Sequence, residues 1–179
     1  MFLVWSTKPT ERWGQLNCIR YSNVDFSYSE SNQLAISGVS FQIDKGQTIA
    51  FVGGSGSGKS TIVKLLIGLF NPVEGAIFYN DLEHNEIDYN EIRQYLGLVS
   101  QDLQLFSGTI KENMLFANPD ATDEMIIQAL NSACRQKIIA CAQDGVNSML
   151  GESGLNLSGG ERQSLCIARA LVRDPSYAT

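Results

Sequence analysis

Two glycine-bearing runs in this chain have the residue types and spacing to hold phosphate. The first, Gly53-Gly54-Ser55-Gly56-Ser57-Gly58-Lys59-Ser60-Thr61, fits the pattern G-x-x-x-x-G-K-[ST] in full. Glycines let the backbone wrap closely, so that successive N–H groups converge on an anion. A helix beginning at Lys59 would aim the positive end of its dipole at the same charge. Lys59 adds a point charge for the outer phosphates, and the Ser60 hydroxyl is a hard oxygen donor suited to Mg2+. The second run, Leu157-Ser158-Gly159-Gly160-Glu161-Arg162-Gln163, carries S-x-x-E, the capping-box pattern of a helix start. Two adjacent glycines in a first turn are costly unless something must approach the backbone closely. The run therefore reads both as a helix cap and as a second anion-facing helix start, and the two roles are compatible.

Elements must position these residues. Ahead of the first run, residues 48–52 are a short, continuous strand-like stretch of the kind buried on both faces of a sheet. After it, Ile62, Leu65, Leu66 and Leu69 share one helical face, and the helix is expected to stop between Gly68 and Pro72. Upstream, Ile19-Arg20-Tyr21 and then Val24, Phe26 and Tyr28 alternate with polar neighbours as strand, and residues 39–43 form another. Residues 75–79 and 96–100 read as strands and residues 90–95 as a short helix. Residues 107–142 turn helical, with Thr122 as N-cap and Asp123 and Glu124 suited to the positive end of the dipole. The last helix covers about 159–172 and is ended by Asp174-Pro175. Residues 1–14 lack periodicity and read as a linker. This order of elements indicates an α/β architecture with a helical subdomain.

Composition narrows the classes. A chain of 179 residues is about one domain, and 44% hydrophobic with 18% charged residues is ordinary for a soluble globular protein. A net charge of −6 leaves no basic footprint for nucleic acid or an acidic membrane surface. Cys18, Cys134, Cys141 and Cys166 form no CxxC pair and His84 is the one histidine, so the cysteines read as reduced, buried thiols rather than zinc ligands. The opening apolar run is too short for a signal peptide, and no stretch approaches the ~20 apolar residues of a membrane span.

Together the motifs resemble the nucleotide-binding domain of an ATP-binding cassette (ABC) transporter, over about residues 15–175 of the chain. The loop at 53–61 looks like the family's Walker A motif and residues 157–163 like its signature motif. Leu105-Phe106-Ser107-Gly108-Thr109-Ile110-Lys111-Glu112-Asn113 and Gly151-Glu152-Ser153-Gly154 resemble segments of exporter-type cassettes. The resemblance implies one ABC domain over 15–179, with a P-loop NTPase core, an N-terminal antiparallel β subdomain, and a helical subdomain at about 103–158 leading into the signature. It implies ATP and Mg2+ as ligands. Gly53, Gly54, Ser55, Gly56, Ser57, Gly58, Lys59, Ser60 and Thr61 would hold the phosphates, and Tyr28 would stack on adenine. Ser60 and Gln101 would lie on the metal side, with Gln101 touching Mg2+ or water. Two cassettes, identical or different, would pair head to tail, so that Ser158, Gly159, Gly160 and Gln163 contact the ATP of the partner. A transmembrane domain would be the other partner, which places the chain at the cytoplasmic face of the plasma membrane; no nucleic acid is implied.

The family pattern continues with an apolar strand ending in Asp and Glu, which hold Mg2+ and polarise water, and then with a switch histidine. Here the sequence reads Asp174-Pro175-Ser176-Tyr177-Ala178-Thr179. His84 precedes Gln101 in a polar stretch and reads as a solvated surface residue, and Glu152 and Glu161 are the nearest acidic residues without being placed by a strand beside Lys59. The expectation is the ATPase domain of an exporter lacking its C-terminal strands, with weak nucleotide binding, turnover near background and exposed apolar surface. The alternative is a nucleotide-binding module without catalysis, in a regulatory or assembly role.

Overall fold

The computed structural model describes residues 2–5, 9–10, 14–28, 33–99, 104–133, 142, 144–151 and 156–173. In chain order the first elements are β1 (Phe2–Trp5), β2 (Pro9–Thr10), β3 (Gly14–Gln15), β4 (Cys18–Phe26), β5 (Ile36–Asp44) and α1 (Lys59–Leu66). There follow β6 (Glu74–Tyr79), β7 (Leu82–Glu83), α2 (Tyr89–Tyr95), β8 (Leu96–Val99) and β9 (Gly108–Thr109). The last are α3 (Ile110–Leu115), α4 (Asp123–Ala133), β10 (Met149–Leu150) and α5 (Gly159–Leu171). They fall into two compact units, residues 7–94 and residues 1–6 with 95–179.

The unit of residues 7–94 is organised by β4, which pairs antiparallel with β5 on one side and β6 on the other; β7 extends the sheet past β6. Along β4 the buried apolar positions run Ile19, Tyr21 and then Val24, Phe26. Their parity changes across an irregularity after Tyr21, where Asn23 takes a left-handed φ of 52°. An extra residue of this kind flips the side-chain alternation, so the apolar set stays on one face on both sides of it. Gly75 on β6 has to be glycine here, because a Cβ would come within 2.2 Å of the Asn23 carbonyl oxygen.

Two buried phenols of this sheet reach the backbone of α1. The Tyr21 hydroxyl donates to the Ile62 carbonyl at 2.8 Å, and the Tyr79 hydroxyl donates to the Leu66 carbonyl. The helix then closes with a left-handed glycine: Gly68, at φ 66°, donates to Leu65 O, and Leu69 N–H reaches back to Lys64 O at 2.9 Å. That pair of bonds is a Schellman motif, which satisfies carbonyls that an α-helix leaves unpaired at its end. Arg93 of α2 takes the next two acceptors, Ile67 O at 2.9 Å and Gly68 O at 2.7 Å.

Three sequence expectations change in this unit. Leu69 shares the apolar helical face by spacing but is 54% exposed, because the helix ends at Leu66 and the turn swings it outward. Residues 48–52 are not a strand, and Val52 is 95% exposed. A strand needs a hydrogen-bonded neighbour, and among the described residues none pairs with this run; an apolar sequence alone does not supply one. His84 is largely covered instead of solvated: its side chain is 12% exposed, and Nδ1 accepts from the Ile77 N–H at 3.4 Å.

In the unit of residues 1–6 with 95–179, part of the stretch that reads as a linker forms β1, which pairs antiparallel with β8, Phe2 opposite Val99. β9 and β10 make a second short pair, with Leu150 opposite Gly108. The core joins Ile110 and Met114 of α3, Ile126 and Leu130 of α4, and Leu165 and Ala168 of α5. Thr122 caps α4 as expected, its hydroxyl accepting from Met125 N–H at 3.3 Å. The close approach of β8 to α5 explains Gly97, where a Cβ would stand 3.2 Å from Ala170. Cys166, on α5, is buried and free, and burial pushes its thiol up, which suits an unreactive core thiol; Cys134 and Cys141 lie outside the described residues.

Burial also pushes the phenols of Tyr21 and Tyr79 well above their ordinary value of 10. The folded state then holds these protons more tightly than the unfolded chain, so their contribution is intact below pH 10 and is lost as pH rises above it. Urea titrations above that pH should show stability falling by about 1.4 kcal/mol per pH unit for each buried phenol. Combining Tyr21→Phe with Tyr79→Phe should flatten the fall; an unchanged slope would refute the assignment.

Candidate functional site

The loop of residues 53–61 closes on itself around Lys59. The ammonium donates to Gly53 O at 2.9 Å, Gly54 O at 2.6 Å and Ser57 Oγ at 3.0 Å. All three acceptors are neutral and the donor is a charged ammonium, so these bonds are already charge-assisted. The residue that starts α1 is Gly58, at φ 84°, and no side chain caps the first-turn N–H groups. Glycine is needed at 58 twice over, because a Cβ there would also come within 2.7 Å of the Ala35 carbonyl oxygen. Gly56 has a φ of 80°, which likewise favours glycine. Gly54 has neither constraint: a Cβ there meets nothing within 4 Å. Its lack of a side chain keeps the loop's outer surface open. Ser60 is exposed, with its hydroxyl on the first turn of the helix, while Thr61 is buried.

Tyr28 stands just beyond the end of β4 and beside α1. Its hydroxyl lies 3.1 Å from Thr61 Oγ1, and its ring meets Phe26 at 5.0 Å and Phe70 at 5.3 Å, both edge-to-face. The Lys64 ammonium sits 5.7 Å from the ring centroid. The structure therefore brings Tyr28 to the phosphate loop, thirty-three residues away in sequence. Gln101 lies outside the described residues.

The second glycine run starts α5 in the other unit, and its capping box is formed in full. Ser158 N–H donates to Glu161 Oε2 at 2.8 Å, Ser158 Oγ donates to the same oxygen at 2.7 Å, and Glu161 N–H donates to Ser158 Oγ at 3.4 Å. Glu161, one of the two acidic residues singled out in the sequence, is thus a capping residue; Glu152 lies outside the described residues. Gly159, Gly160 and Gln163 are exposed, and a Cβ at either glycine would meet nothing within 4 Å. At the far end of the helix, Asn118 Nδ2 donates to the Val172 carbonyl at 3.0 Å.

The two runs fall inside one family model. The model, described as ABC transporter, matches residues 36–178. The chain belongs to the ABC transporter family. Among curated relatives it is 41% identical over 159 residues to heavy metal tolerance factor 1 of Caenorhabditis elegans, which covers 89% of this chain and 20% of that protein. It is 40% identical over 157 residues to a probable multidrug resistance ABC transporter ATP-binding/permease protein of Bacillus subtilis, covering 88% of this chain and 27% of the relative. Among solved structures, that of a bacterial Atm1-family ABC exporter with ATP bound superposes with a TM-score of 0.80 at 34% identity, over 95% of this chain and 29% of that one. The chain thus spans between a fifth and about a quarter of the length of these two curated relatives. Its antiparallel β unit and its helical unit agree with the fold of the matched part of that exporter.

Sequence reasoning missed several residues that hold the site. A second capping box, Thr109 with Glu112, starts α3 through bonds of 3.0 and 2.7 Å, and the T-x-x-E spacing was there to find it. Asn113 is buried and clamps residue 106 from both sides, its Oδ1 accepting from Phe106 N–H and its Nδ2 donating to Phe106 O. Arg169 of α5 donates to Gln104 O at 2.9 Å, just past the segment that contains Gln101. Tyr21, Tyr79 and Arg93 carry no local signal at all, because their acceptors lie 41, 13 and 26 residues away.

Capping makes a measurable demand. Ser158→Ala should lower stability by about 1 kcal/mol, read as a shift in the urea midpoint, with Thr109→Ala costing a similar amount. A neutral Ser158→Ala would show that the box contributes nothing to the helix start.

Proposed function

We propose that this chain is the ATP-binding domain of an ABC exporter. The observation that carries the reading is the start of α1: a glycine N-cap, no capping side chain and the Lys59 ammonium beside it. The same chain caps α3 and α5 with full side-chain boxes, so the bare start at the phosphate loop is a local exception. First-turn N–H groups left open in this way suit an anion with several oxygens.

In this reading residues 53–61 bind the phosphates of ATP, with Lys59 exchanging its loop carbonyls for the outer phosphate oxygens. The exposed Ser60 hydroxyl suits a Mg2+ ligand, since the metal prefers oxygen donors and tolerates a partly hydrated shell. Tyr28 offers its ring to the adenine, and Gln101 would approach the metal or water. When bound, the nucleotide supplies a phosphoanhydride bond whose hydrolysis, in the whole protein, would drive the transport cycle. The open glycines 159 and 160 support a head-to-tail pair in which Ser158, Gly160 and Gln163 face the nucleotide of a second cassette. The Phe106 and Phe116 rings lie 4.6 Å apart and are 46% and 70% exposed, an apolar face that supports docking against a membrane-spanning part at the cytoplasmic side. Among the described residues no helix is long and apolar enough to cross a membrane.

Titration calorimetry with Mg-ATP tests the binding step. Lys59→Ala should weaken binding at least about tenfold, the loss of one charge-assisted contact. Failure of the unmodified chain to bind, or equal binding by the variant, would overturn the assignment. Sedimentation tests the pairing: ATP should raise the dimer fraction, and Ser158→Arg should abolish that rise by filling the space over the glycines. An ATP-independent sedimentation profile would argue against nucleotide-bridged pairing.

A further inference from the structure

The hydroxyl contact between Tyr28 and Thr61 joins two parts of the candidate site. Thr61 is the third residue of α1, so its backbone N–H belongs to the open first turn that faces an anion. Its side chain points the other way: the residue is 6% exposed and Oγ1 lies 3.1 Å from the Tyr28 hydroxyl. The Tyr28 ring is held on further sides by Phe26 and by Phe70, at 82° and 86°, and Lys64, one helical turn beyond Thr61, stands 5.7 Å from its centroid. A tyrosine with a free hydroxyl could turn about its side-chain bonds. Here the hydroxyl and two ring edges fix it relative to the phosphate loop.

We infer that Thr61 is a positioning residue that locks the base-stacking ring of Tyr28 to the phosphate cradle, so that base and phosphates are recognised as one pre-aligned unit. The inference rests on the nucleotide-binding reading above. A ligand that touches both places gains from the lock, because the ring need not be ordered on binding. A ligand with phosphates and no base gains nothing.

This split gives the test. Binding of Mg-ATP and of inorganic tripolyphosphate is measured on the 179-residue chain and on Thr61→Val, Thr61→Ser, Tyr28→Phe and the Thr61→Val/Tyr28→Phe pair. Thr61→Val and Tyr28→Phe should each weaken ATP binding by roughly 3- to 10-fold, the range set by ordering one side chain. The double variant should be no weaker than either single one, since both remove the same bond. Thr61→Ser, which keeps the hydroxyl, should bind ATP as the unmodified chain does. Tripolyphosphate binding should be unchanged in Tyr28→Phe, which leaves residues 53–61 intact, and Thr61→Val should lose more affinity for ATP than for tripolyphosphate. If ATP binding is unchanged in the single variants, if the two losses add, or if tripolyphosphate binding falls in parallel, the lock is overturned while nucleotide binding stands. If the unmodified chain binds neither ligand, the nucleotide-binding reading fails and the lock falls with it.

Discussion

Helix α1 is finished at one end and left open at the other, and the rest of the 7–94 unit is arranged around that asymmetry. Every α-helix has unpaired N–H groups at its start and unpaired carbonyls at its end. At the end of α1, Tyr79, Arg93 and the Gly68 turn supply donors to the last carbonyls. At the start, Gly58 supplies no side chain. A helix with both ends open would be costly to hold in a folded unit, so the thorough closing of one end offsets what is given up at the other. The Tyr21 bond to Ile62 O adds a further tie near the open end. The open first turn is thus held by donors placed on the sheet and on α2, not by a cap of its own.

The starts of α1, α3 and α5 make the contrast inside one chain. Thr109 and Ser158 both form complete boxes with a glutamate three residues on. The two boxes differ in the residues they enclose. Ile110 and Lys111 occupy the first turn of α3, whereas Gly159 and Gly160 leave the first turn of α5 bare. Capping through Ser158 and Glu161 stabilises the helix while no ligand is present, and the glycines keep its surface approachable. Ser158 Oγ already donates to Glu161, so engaging an outside anion with that hydroxyl requires the proton to be redirected from the carboxylate. In the proposed reading Glu161 therefore sets the cost of using the Ser158 hydroxyl.

Local patterns carried much of this architecture in the sequence. The capping box at Ser158, the N-cap at Thr122 and the helix start at Lys59 after the glycine loop are short-range devices, and each is formed as expected. The parity change in β4 is also visible, since Tyr21 and Val24 break a strict alternation. The features hidden in the sequence are long-range. Nothing near Tyr79 or Arg93 says that their donors close α1, and nothing near Tyr28 says that its hydroxyl meets Thr61. The run at 48–52 failed for the complementary reason: its residues suit a buried strand, but strand formation depends on a neighbour that no local pattern specifies.

The same run bears on the loop it leads into. Residues 47–54 lie outside any helix or strand, and Val52, immediately before Gly53, is 95% exposed. Among the described residues, therefore, no sheet ladder fixes the start of the glycine loop. The bonds from Lys59 to Gly53 O and Gly54 O tie that start to the first residue of α1. In the proposed reading Lys59 then has two separable effects, a charge for the phosphates and a clasp for the backbone that would cradle them. Removing the side chain loses both, so the resulting loss of affinity exceeds the worth of the charge alone. A neutral donor such as Gln at 59 would separate them, since it retains hydrogen bonds to the carbonyls without the charge. The clasp accounts for whatever affinity that substitution preserves over alanine.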